Sequence, residues 1–393
     1  MSQLNIDFKE TIPVGQLGII PLQSSWDLGK KVNDYIVSWR NDRESANSTN
    51  ILFENYKQDT YIIDAKCSRF GSGEAKGTIN ESIRGKDLYL IVDVTNYNIE
   101  YKLCGHVNRM SPDDHYSDLK RMIAAASGKA RRINVIMPFL YESRQHRRTS
   151  RESLDCALAL QELLAMGAEN IITFDAHDPR VQNAIPMGGF ESIQPNYQFI
   201  KALFHSVKDL RVDKDHMMII SPDEGGMTRA VYYANVLGID MGMFYKRRDY
   251  SRIVNGRNPI VAHEFLGTSV EGKDVLIIDD MISSGESMLD TAKELKKRKA
   301  NRVFIASTFG LFTNGLDAFD KAYEEGLISK ILTTNCIYQS PELLSRPYYV
   351  NVDLSKYIAL LIDSLNHDHS ISELLDPNEK IHKLLLKYNN HEI

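Results

Sequence analysis

Two adjacent carboxylates followed by a loop of small residues form the stretch most suited to chemistry. Asp279 and Asp280 follow the apolar run 275–278, which is typical of a strand buried on both faces of a parallel sheet. The next residues combine hydroxyls, one glycine and one acid: Ser283, Ser284, Gly285, Glu286 and Ser287. Apolar positions at helical spacing begin at Met288, so the loop is predicted to lie at a helix N-terminus.

A helix N-terminus offers unpaired N–H groups and a partial positive charge, which together bind phosphate. The paired aspartates would repel a phosphate, so they favour sugar hydroxyls or a bound cation instead. The stretch therefore suits a ribose phosphate. A purely structural interpretation stands beside this one, because Asp280 and the serines could simply cap the helix.

Basic and metal-binding residue types follow other predicted strands. Four arginines within eight positions favour an anion site over a solvated surface: Arg144, Arg147, Arg148 and Arg151. His177 and Asp223 each follow a predicted strand, and Lys246 and Arg248 follow another. Taken alone, His177 is more often a hydrogen-bonded turn residue than a ligand, and Lys246 more often an ordinary exposed charge.

Composition limits the class of protein. The chain has 393 residues, enough for two domains, with an ordinary globular content of 43% hydrophobic and 25% charged residues. A net charge of -5 gives no support for nucleic-acid binding. The N-terminus lacks a signal-peptide pattern, and no apolar run reaches the ~18 residues that span a membrane. The four cysteines have no zinc spacing and are predicted to be reduced thiols, mostly buried: Cys67, Cys104, Cys156 and Cys336. We therefore expect a cytoplasmic protein with no nucleic-acid or membrane partner.

Alternating strand and helix patterns predict an α/β protein with a mainly parallel sheet covered by helices on both faces. The predicted strands are 17–22, 61–65, 87–94, 133–137, 170–174, 216–220, 240–245, 275–278, 302–308, 330–335 and 348–352. The predicted helices include 26–39, 112–126, 153–166, one ending at 237, 354–365 and an amphipathic one after 377. A polar loop, long enough to be mobile, is predicted from 246 to about 263. In such sheets ligands bind outside the carboxyl ends of the strands, where each of the motifs above falls.

Six motifs in fixed order give the chain a resemblance to a known family. They are RFGSGEAKGTINESIRGKDLYLI, SRQHRR, TFDAHD, SPDEGG, YKRR and LIIDDMISSGES. In this order they resemble ribose-phosphate pyrophosphokinases, the phosphoribosyl pyrophosphate (PRPP) synthetases. The resemblance implies two tandem phosphoribosyltransferase-like domains of type I, usually assembled as homo-oligomers in which dimers build hexamers. It also implies transfer of the pyrophosphoryl group of ATP to the 1-hydroxyl of ribose 5-phosphate, giving PRPP and AMP for nucleotide biosynthesis.

The resemblance also implies the domain limits and the residue roles. We expect an N-terminal extension (1–15), an ATP-side domain (16–195), a ribose 5-phosphate-side domain (196–376) and a C-terminal tail (377–393). Asp279 and Asp280 would contact ribose hydroxyls, and Ser283, Ser284, Gly285, Glu286 and Ser287 would hold the 5-phosphate. ATP would be bound by Arg144, Gln145 and His177, with Phe70, Ser72 and Glu74 reaching the adenine from a neighbouring subunit. Mg²⁺ would be bound by His177 and Asp223, and Lys246 and Arg248 would close over the transferring group as catalytic residues.

Several positions depart from the family pattern. Ser72 stands where an acid usually holds the adenine amino group, and Ser283 stands where the phosphate loop usually begins with an aspartate. Glu286 replaces a small residue, and a carboxylate near a phosphate is unfavourable unless it points away or meets a cation. Asn183 and Ala184 replace further family acids after His177.

These departures keep two alternatives open. One is a non-catalytic homologue that binds a true synthetase and regulates it; the other is a PRPP-using phosphoribosyltransferase, whose loop is similar. The presence of Lys246, Arg248, His177 and Asp223 favours an active synthetase over a regulator. The two-domain extent of the resemblance disfavours a lone phosphoribosyltransferase.

Overall fold

The computed structural model describes residues 12–45, 55–248 and 260–392, with the backbone alone at 44–45, 246–248 and 260–263. The chain divides into two compact units. The first contains the residues up to Gln194 together with Asn335–Tyr338 and Asp353–Leu375. The second contains Pro195–Thr334, Gln339–Val352 and the residues from Asp376 onward.

Strands and helices alternate along most of the described chain. The strands are β1 (Gln16–Pro21), β2 (Ala65–Arg69), β3 (Ala75–Ile79), β4 (Lys86–Ile91), β5 (Glu100–Leu103), β6 (His106–Arg109), β7 (Arg132–Ile136), β8 (Asn170–Phe174), β9 (Gly189–Ile193), β10 (Met217–Ser221), β11 (Asp240–Arg248), β12 (Ile260–Leu266), β13 (Asp274–Ile282), β14 (Val303–Gly310), β15 (Lys330–Thr334) and β16 (Tyr349–Val352). The helices are α1 (Trp26–Ser45), α2 (Pro112–Ala126), α3 (Asp155–Ala165), α4 (Asn196–Ser206), α5 (Met227–Leu237), α6 (Glu286–Lys297), α7 (Asp317–Glu324), α8 (Pro341–Leu344), α9 (Ser355–Asn366), α10 (Ser372–Leu375) and α11 (Asn378–Asn389).

The first unit is built on a five-stranded sheet with the order β1-β4-β7-β8-β9, in which every pair of neighbours is parallel. Two hairpins, β2-β3 and β5-β6, lie outside this sheet. β4 is buried along its whole length, as expected for a strand covered on both faces. α2 begins at a capping box, in which Ser111 and Asp114 each accept a hydrogen bond from the other's backbone N–H.

The second unit is built on a seven-stranded sheet with the order β12-β11-β10-β13-β14-β15-β16. Only the β11-β12 pair is antiparallel among these strands. β10 lies between β11 and β13, so the chain leaves β10 toward one edge of the sheet and leaves β13 toward the other. This reversal between β10 and β13 is a topological switch point, where open α/β sheets form ligand sites at the carboxyl ends of the strands. The predicted α/β class with mainly parallel sheets is confirmed.

Residues 353–375 pack with the first unit, whereas the sequence interpretation placed them in the second domain. The reason is a buried ion pair between helices α1 and α9. The Arg40 Nη2 atom lies 2.9 Å from Asp363 Oδ1, and both side chains are 2% exposed. Charges buried this deeply need a partner, so the pair ties α9 to α1.

The predicted C-terminal tail docks on the second unit as helix α11. The Tyr388 hydroxyl donates to Val207 O at 2.6 Å and accepts from Leu210 N at 2.9 Å. Its ring stacks on Phe204 with centroids 4.2 Å apart. These contacts satisfy backbone groups that follow α4.

Several element limits differ from the sequence prediction, and three examples follow. Residues 61–65 form no full strand, because only Ile62 bridges to Ile19, and β2 begins at Ala65. Residues 260–266 form β12 rather than part of a polar loop, and 249–259 lie outside the described residues. β13 continues to Ile282, past the aspartates that were predicted to end it.

Two predictions from composition can be compared with the described residues. None of their helices is both long and apolar enough to cross a bilayer. None of the four cysteines forms a disulfide; Cys156 and Cys336 are buried as predicted, whereas Cys67 is half-buried and Cys104 is exposed.

Candidate active site

Carboxylates from two neighbouring strands meet at the switch point of the second unit. β10 and β13 are parallel, with Ile220 opposite Ile277, so Asp223 follows the same end of the sheet that Asp279 and Asp280 reach. The β10–α5 turn packs closely on β13, since a Cβ atom at Gly226 would lie 3.3 Å from Ile278 O. The Asp223 Oδ1 atom accepts from the N–H groups of the two glycines that follow it, at 2.9 and 3.3 Å.

The environment formed by these three carboxylates changes the pKa of Asp279. Burial, and then the negative charges of Asp280 and Asp223, raise the pKa of Asp279 well above its usual value. Asp280 is 3% exposed, and its backbone N–H donates to Asp279 Oδ1 at 2.9 Å. Carboxylates held this close favour a ligand that donates hydrogen bonds or carries positive charge.

The small-residue loop forms the entrance to α6. Gly285 occupies the N-cap position with φ +87°, and α6 starts at Glu286. The N-cap is a glycine and has no side chain of its own to cap α6, so the interpretation in which neighbouring side chains cap the helix stays open beside the anion site. The nearest such contact is a long one, from Glu286 N to Ser284 Oγ at 3.5 Å. The helix N-terminus is thus available to an anion.

Neighbouring elements fix the shape of this loop. Thr313 N donates to Ser283 O at 3.0 Å, so the segment after β14 supports the loop backbone. The ring of Phe319, on α7, lies where a Cβ atom at position 285 would be. Gly285 is therefore required both by its left-handed backbone and by this close approach.

The departures from the family pattern lie on different parts of the loop. Ser283 and Ser284 are half-buried, and Ser287 is half-buried in the first turn of α6. Glu286 is exposed in the same turn, where a negative charge stabilises the helix dipole.

Lys246 and Arg248 lie on a two-stranded ribbon at the carboxyl end of the second sheet. β11 pairs with β10 only from Asp240 to Met243. Beyond Met243 it pairs with β12, with Lys246 opposite His263 and a bulge between Arg247 and Arg248. The backbone of both predicted catalytic residues is thus strand rather than loop.

The predicted adenine contacts share the tip of the β2-β3 hairpin in the first unit. Ser72 and Glu74 are exposed, and Phe70 is 56% exposed. The Ser72 hydroxyl donates to Glu74 Oε2 at 2.9 Å, which fixes one carboxylate oxygen. The turn closes through Phe70 N to Glu74 O at 2.8 Å, and Cys104 N donates to Gly71 O at 2.7 Å from the second hairpin.

The predicted ATP residues after β7 and β8 lie at neighbouring strand ends. Arg144 is exposed and Gln145 is half-buried, in a turn closed by Gln145 N to Glu142 O at 2.8 Å. His177, after β8, is half-buried, and its ring centroid lies 5.4 Å from that of His146. The two loops therefore meet, as their parallel strands predict.

Sequence reasoning missed His146 and Asp178 in this group. His146 Nε2 lies 3.5 Å from Asp178 Oδ2, and hydrogen bonds from Arg180 hold the pKa of Asp178 well below its usual value. His146 Nδ1 is buried without a hydrogen-bond partner among the described residues. The signal was present, since His146 lies inside the SRQHRR motif, but spacing alone does not show which loops meet.

Comparisons with known proteins agree across both units. The model of the N-terminal domain of ribose phosphate pyrophosphokinase matches residues 17–167, and that of the phosphoribosyl transferase domain matches residues 190–338. A ribose-phosphate pyrophosphokinase of Mycoplasma genitalium is 30% identical over 299 residues, covering 75% of this chain and 82% of the relative. The chain belongs to the ribose-phosphate pyrophosphokinase family.

One further relative supports the same assignment, and a solved structure supports the fold. The ribose-phosphate pyrophosphokinase of Vibrio parahaemolyticus is 28% identical over 338 residues, covering 84% of this chain and 98% of its own length. The crystal structure of phosphoribosylpyrophosphate synthetase from Mycobacterium smegmatis has the same fold, with a TM-score of 0.70 at 19% identity. That superposition covers 90% of this chain and 99% of the other.

The donor atoms of this pyrophosphokinase-family chain fit a magnesium ion shared with a substrate. Among the described residues, no three His, Cys, Asp or Glu side chains are arranged to hold a metal by themselves. Mg²⁺ is usually held by one or two carboxylates together with substrate phosphates and water, and it prefers oxygen ligands. Asp223, Asp279 and Asp280 offer such oxygens, and a cation would relieve their mutual repulsion.

Proposed function

We propose that the protein is an active, Mg²⁺-dependent ribose-phosphate diphosphokinase that converts ATP and ribose 5-phosphate to PRPP and AMP for nucleotide biosynthesis. The observation that carries this proposal is the meeting of Asp223 with Asp279 and Asp280 at the switch point, directly before the N-terminus of α6. A sugar phosphate fits this arrangement, because its hydroxyls can meet the carboxylates while its phosphate meets the helix N-terminus.

The ribose 5-phosphate half of the chemistry follows from these residues. Carboxylate oxygens of Asp279 and Asp280 accept hydrogen bonds from ribose hydroxyls, and the loop from Ser283 to Ser287 offers hydroxyls and backbone N–H groups to the phosphate. Binding the sugar at both ends orients its 1-hydroxyl. Such positioning of the reacting groups is a main source of rate acceleration in phosphoryl transfer.

In the transfer, a bond forms between the 1-oxygen of the ribose and the β-phosphorus of ATP. The bond from that phosphorus to the oxygen that bridges the α- and β-phosphates breaks, AMP leaves with that oxygen, and the 1-hydroxyl loses its proton. Lys246 and Arg248 supply positive charge to the oxygens that carry the developing charge. Mg²⁺, which carboxylate oxygens of Asp223, Asp279 and Asp280 would help to hold, would neutralise charge on the phosphate oxygens.

The ATP half is assigned to the first unit. Arg144, Gln145 and His177 contact the nucleotide phosphates, and His146 adds a buried nitrogen beside His177. Phe70, Ser72 and Glu74 bind the adenine of a neighbouring subunit, which requires a homo-oligomer built from dimers. The exposure of all three side chains on a hairpin tip supports this arrangement. We place the protein in the cytoplasm, where both substrates are found.

The proposal is tested with purified protein, ATP, ribose 5-phosphate and Mg²⁺, following AMP and PRPP by chromatography. We expect both products in equal amounts, and their loss when Mg²⁺ is chelated. Failure to form either product under any metal or phosphate condition, with the fold intact, would overturn the proposal and leave the regulatory homologue. A phosphoribosyltransferase would instead consume PRPP and a base and release pyrophosphate.

Lys246→Ala tests the catalytic assignment. We expect kcat to fall by about 10²-fold, as for the loss of other contacts to a developing oxyanion. Lys321→Ala, at an exposed position on α7, is the matched control and should keep full activity. Unchanged AMP formation by Lys246→Ala would refute the role of that residue while leaving the activity itself in place.

A further inference from the structure

An aromatic pair and one arginine hold the root of the β11-β12 ribbon. Phe244 and Phe265 lie opposite each other in the antiparallel register, with ring centroids 5.2 Å apart. The guanidinium carbon of Arg298 lies 5.7 Å from each of the two ring centroids. This distance is within the ~6 Å range of cation–π attraction. Arg298 is the C-cap residue of α6, so the C-terminal end of that helix contacts the ribbon.

The packing around this cluster fixes its geometry. Phe244 is fully buried, and a Cβ atom at Gly242 would lie 2.5 Å from Phe265 Cζ, so the Phe265 ring rests against the glycine backbone. Arg298 Nη1 donates to Glu294 Oε2 at 2.9 Å and to Glu294 O at 3.2 Å. These hydrogen bonds orient the guanidinium over the rings.

The position of the cluster along β11 gives it a functional consequence. The ladder between β10 and β11 ends at Met243, one residue before Phe244. Among the described residues, the cluster therefore lies where β11 leaves the parallel sheet and continues with β12 alone. Lys246 follows Phe244 by two residues and Arg248 by four.

We propose that Arg298 is a positioning residue for the transfer reaction. It holds the root of the ribbon against α6, whose other end begins at the phosphate loop, and so sets the backbone of Lys246 and Arg248 relative to that loop. A helix of this length places its two ends about 18 Å apart, which makes α6 a rigid spacer between them. The inference rests on the proposed function, because it assigns the ribbon to catalysis.

Arg298→Leu tests this role kinetically. We expect kcat to fall about tenfold with KM for ATP and ribose 5-phosphate changed less than twofold, because the arginine lies at the end of α6 opposite the phosphate loop. Arg298→Lys should retain most of kcat, since it keeps the cation. Lys299→Gln, which removes an exposed neighbour paired with Glu271, is the matched control and should leave kcat unchanged.

A double variant separates positioning from general damage. Adding Arg298→Leu to Lys246→Ala should lower kcat by much less than tenfold, because the group to be positioned is already gone. If the two losses multiply fully, Arg298 does not act through Lys246 and the proposal is overturned.

Hydrogen exchange tests the anchor without reference to activity. In Arg298→Leu, the amides of residues 244–248 should exchange at least tenfold faster than in the wild type, while those of β13 remain unchanged. Unchanged exchange at 244–248 would overturn the proposal. If the wild type forms no PRPP, the proposed function fails on its own, and the exchange result still decides whether Arg298 holds the ribbon.

Discussion

The Phe319 ring occupies the space directly beside the Cα atom of Gly285, so that a side chain at position 285 would overlap it. This contact couples α7 to the entrance of α6. It predicts that the loop from Ser283 to Ser287, proposed to bind phosphate, cannot keep its shape with any residue other than glycine at position 285.

Gly285→Ala should therefore weaken ribose 5-phosphate binding at least tenfold, measured by titration calorimetry. Gly272→Ala is the matched control, because Gly272 also has a positive φ, of +75°, but faces open space. Gly272→Ala therefore introduces the same kind of backbone strain as Gly285→Ala but no steric overlap with a neighbouring side chain. Combining Gly285→Ala with Phe319→Leu should recover part of the affinity, and equal effects of the two alanine variants would contradict the role of the ring.

Asp93 should make the stability of the first unit depend on pH. Burial raises the pKa of Asp93 to about 6, although the carboxylate accepts hydrogen bonds from Thr95 and Tyr338 N. Because folding raises this pKa, the protonated carboxyl stabilises the folded state at pH values below the ordinary carboxyl pKa. This stabilisation is lost as the pH rises through 6. The loss amounts to about 3 kcal/mol for a shift of this size.

The measurement compares urea unfolding of the wild type and Asp93→Asn between pH 4 and pH 7. The difference in unfolding free energy should change in favour of the variant as the pH rises, because asparagine does not ionise. A constant offset is also expected, since the amide nitrogen cannot accept from Tyr338 N. A difference that stays constant across this range would show that Asp93 does not titrate there.

Removing the carboxylate that joins α1 and α9 should be costly. Asp363→Ala leaves the buried Arg40 guanidinium without its ion-pair partner, and such losses destabilise proteins by about 3–5 kcal/mol. Asp290→Ala breaks an exposed pair with Lys293, 3.4 Å apart, and should cost less than about 1 kcal/mol. Unfolding midpoints in urea measure both; similar losses would mean that burial of the Arg40–Asp363 pair has no special effect.

Ser72→Asp should sharpen the choice of nucleotide. An added carboxylate beside Glu74 accepts hydrogen bonds from the amino group of adenine and repels the carbonyl oxygen of guanine. The ratio of kcat/KM for ATP over GTP should rise by about tenfold, the value of one charged hydrogen bond of modest strength. Product formation with ATP, GTP and CTP in parallel gives the ratio, and the same ratio in both proteins would exclude position 72 from base selection.

Local patterns predicted several elements to the residue. Helix 112–126 and strand 170–174 have the predicted limits, because a capping box begins the helix and the strand is a short run rich in isoleucine, threonine and phenylalanine. Gly238 closes α5 in the left-handed conformation, as its position predicts. These features depend on neighbours along the chain, which the sequence shows directly.

Features that depend on distant contacts were missed. Asp279 and Asp280 lie inside β13 because β14 continues to pair beyond them, with Met281 opposite Phe309. His146 joins His177 only through adjacent strands, and residues 353–375 join the first unit through Arg40. The sequence pattern of one segment does not show which distant segment it will contact in the fold.

The docking of α11 has a consequence for how this protein can be shortened or fused. A chain cut before Asn378 would expose the Phe204 ring and leave Val207 O and Leu210 N without the Tyr388 hydroxyl. The last helix is therefore an integral part of the unit that carries the residues proposed to bind ribose 5-phosphate. Recombinant fragments of that unit should include it, and deletion mapping that treats it as a dispensable appendage would report misfolding as loss of function.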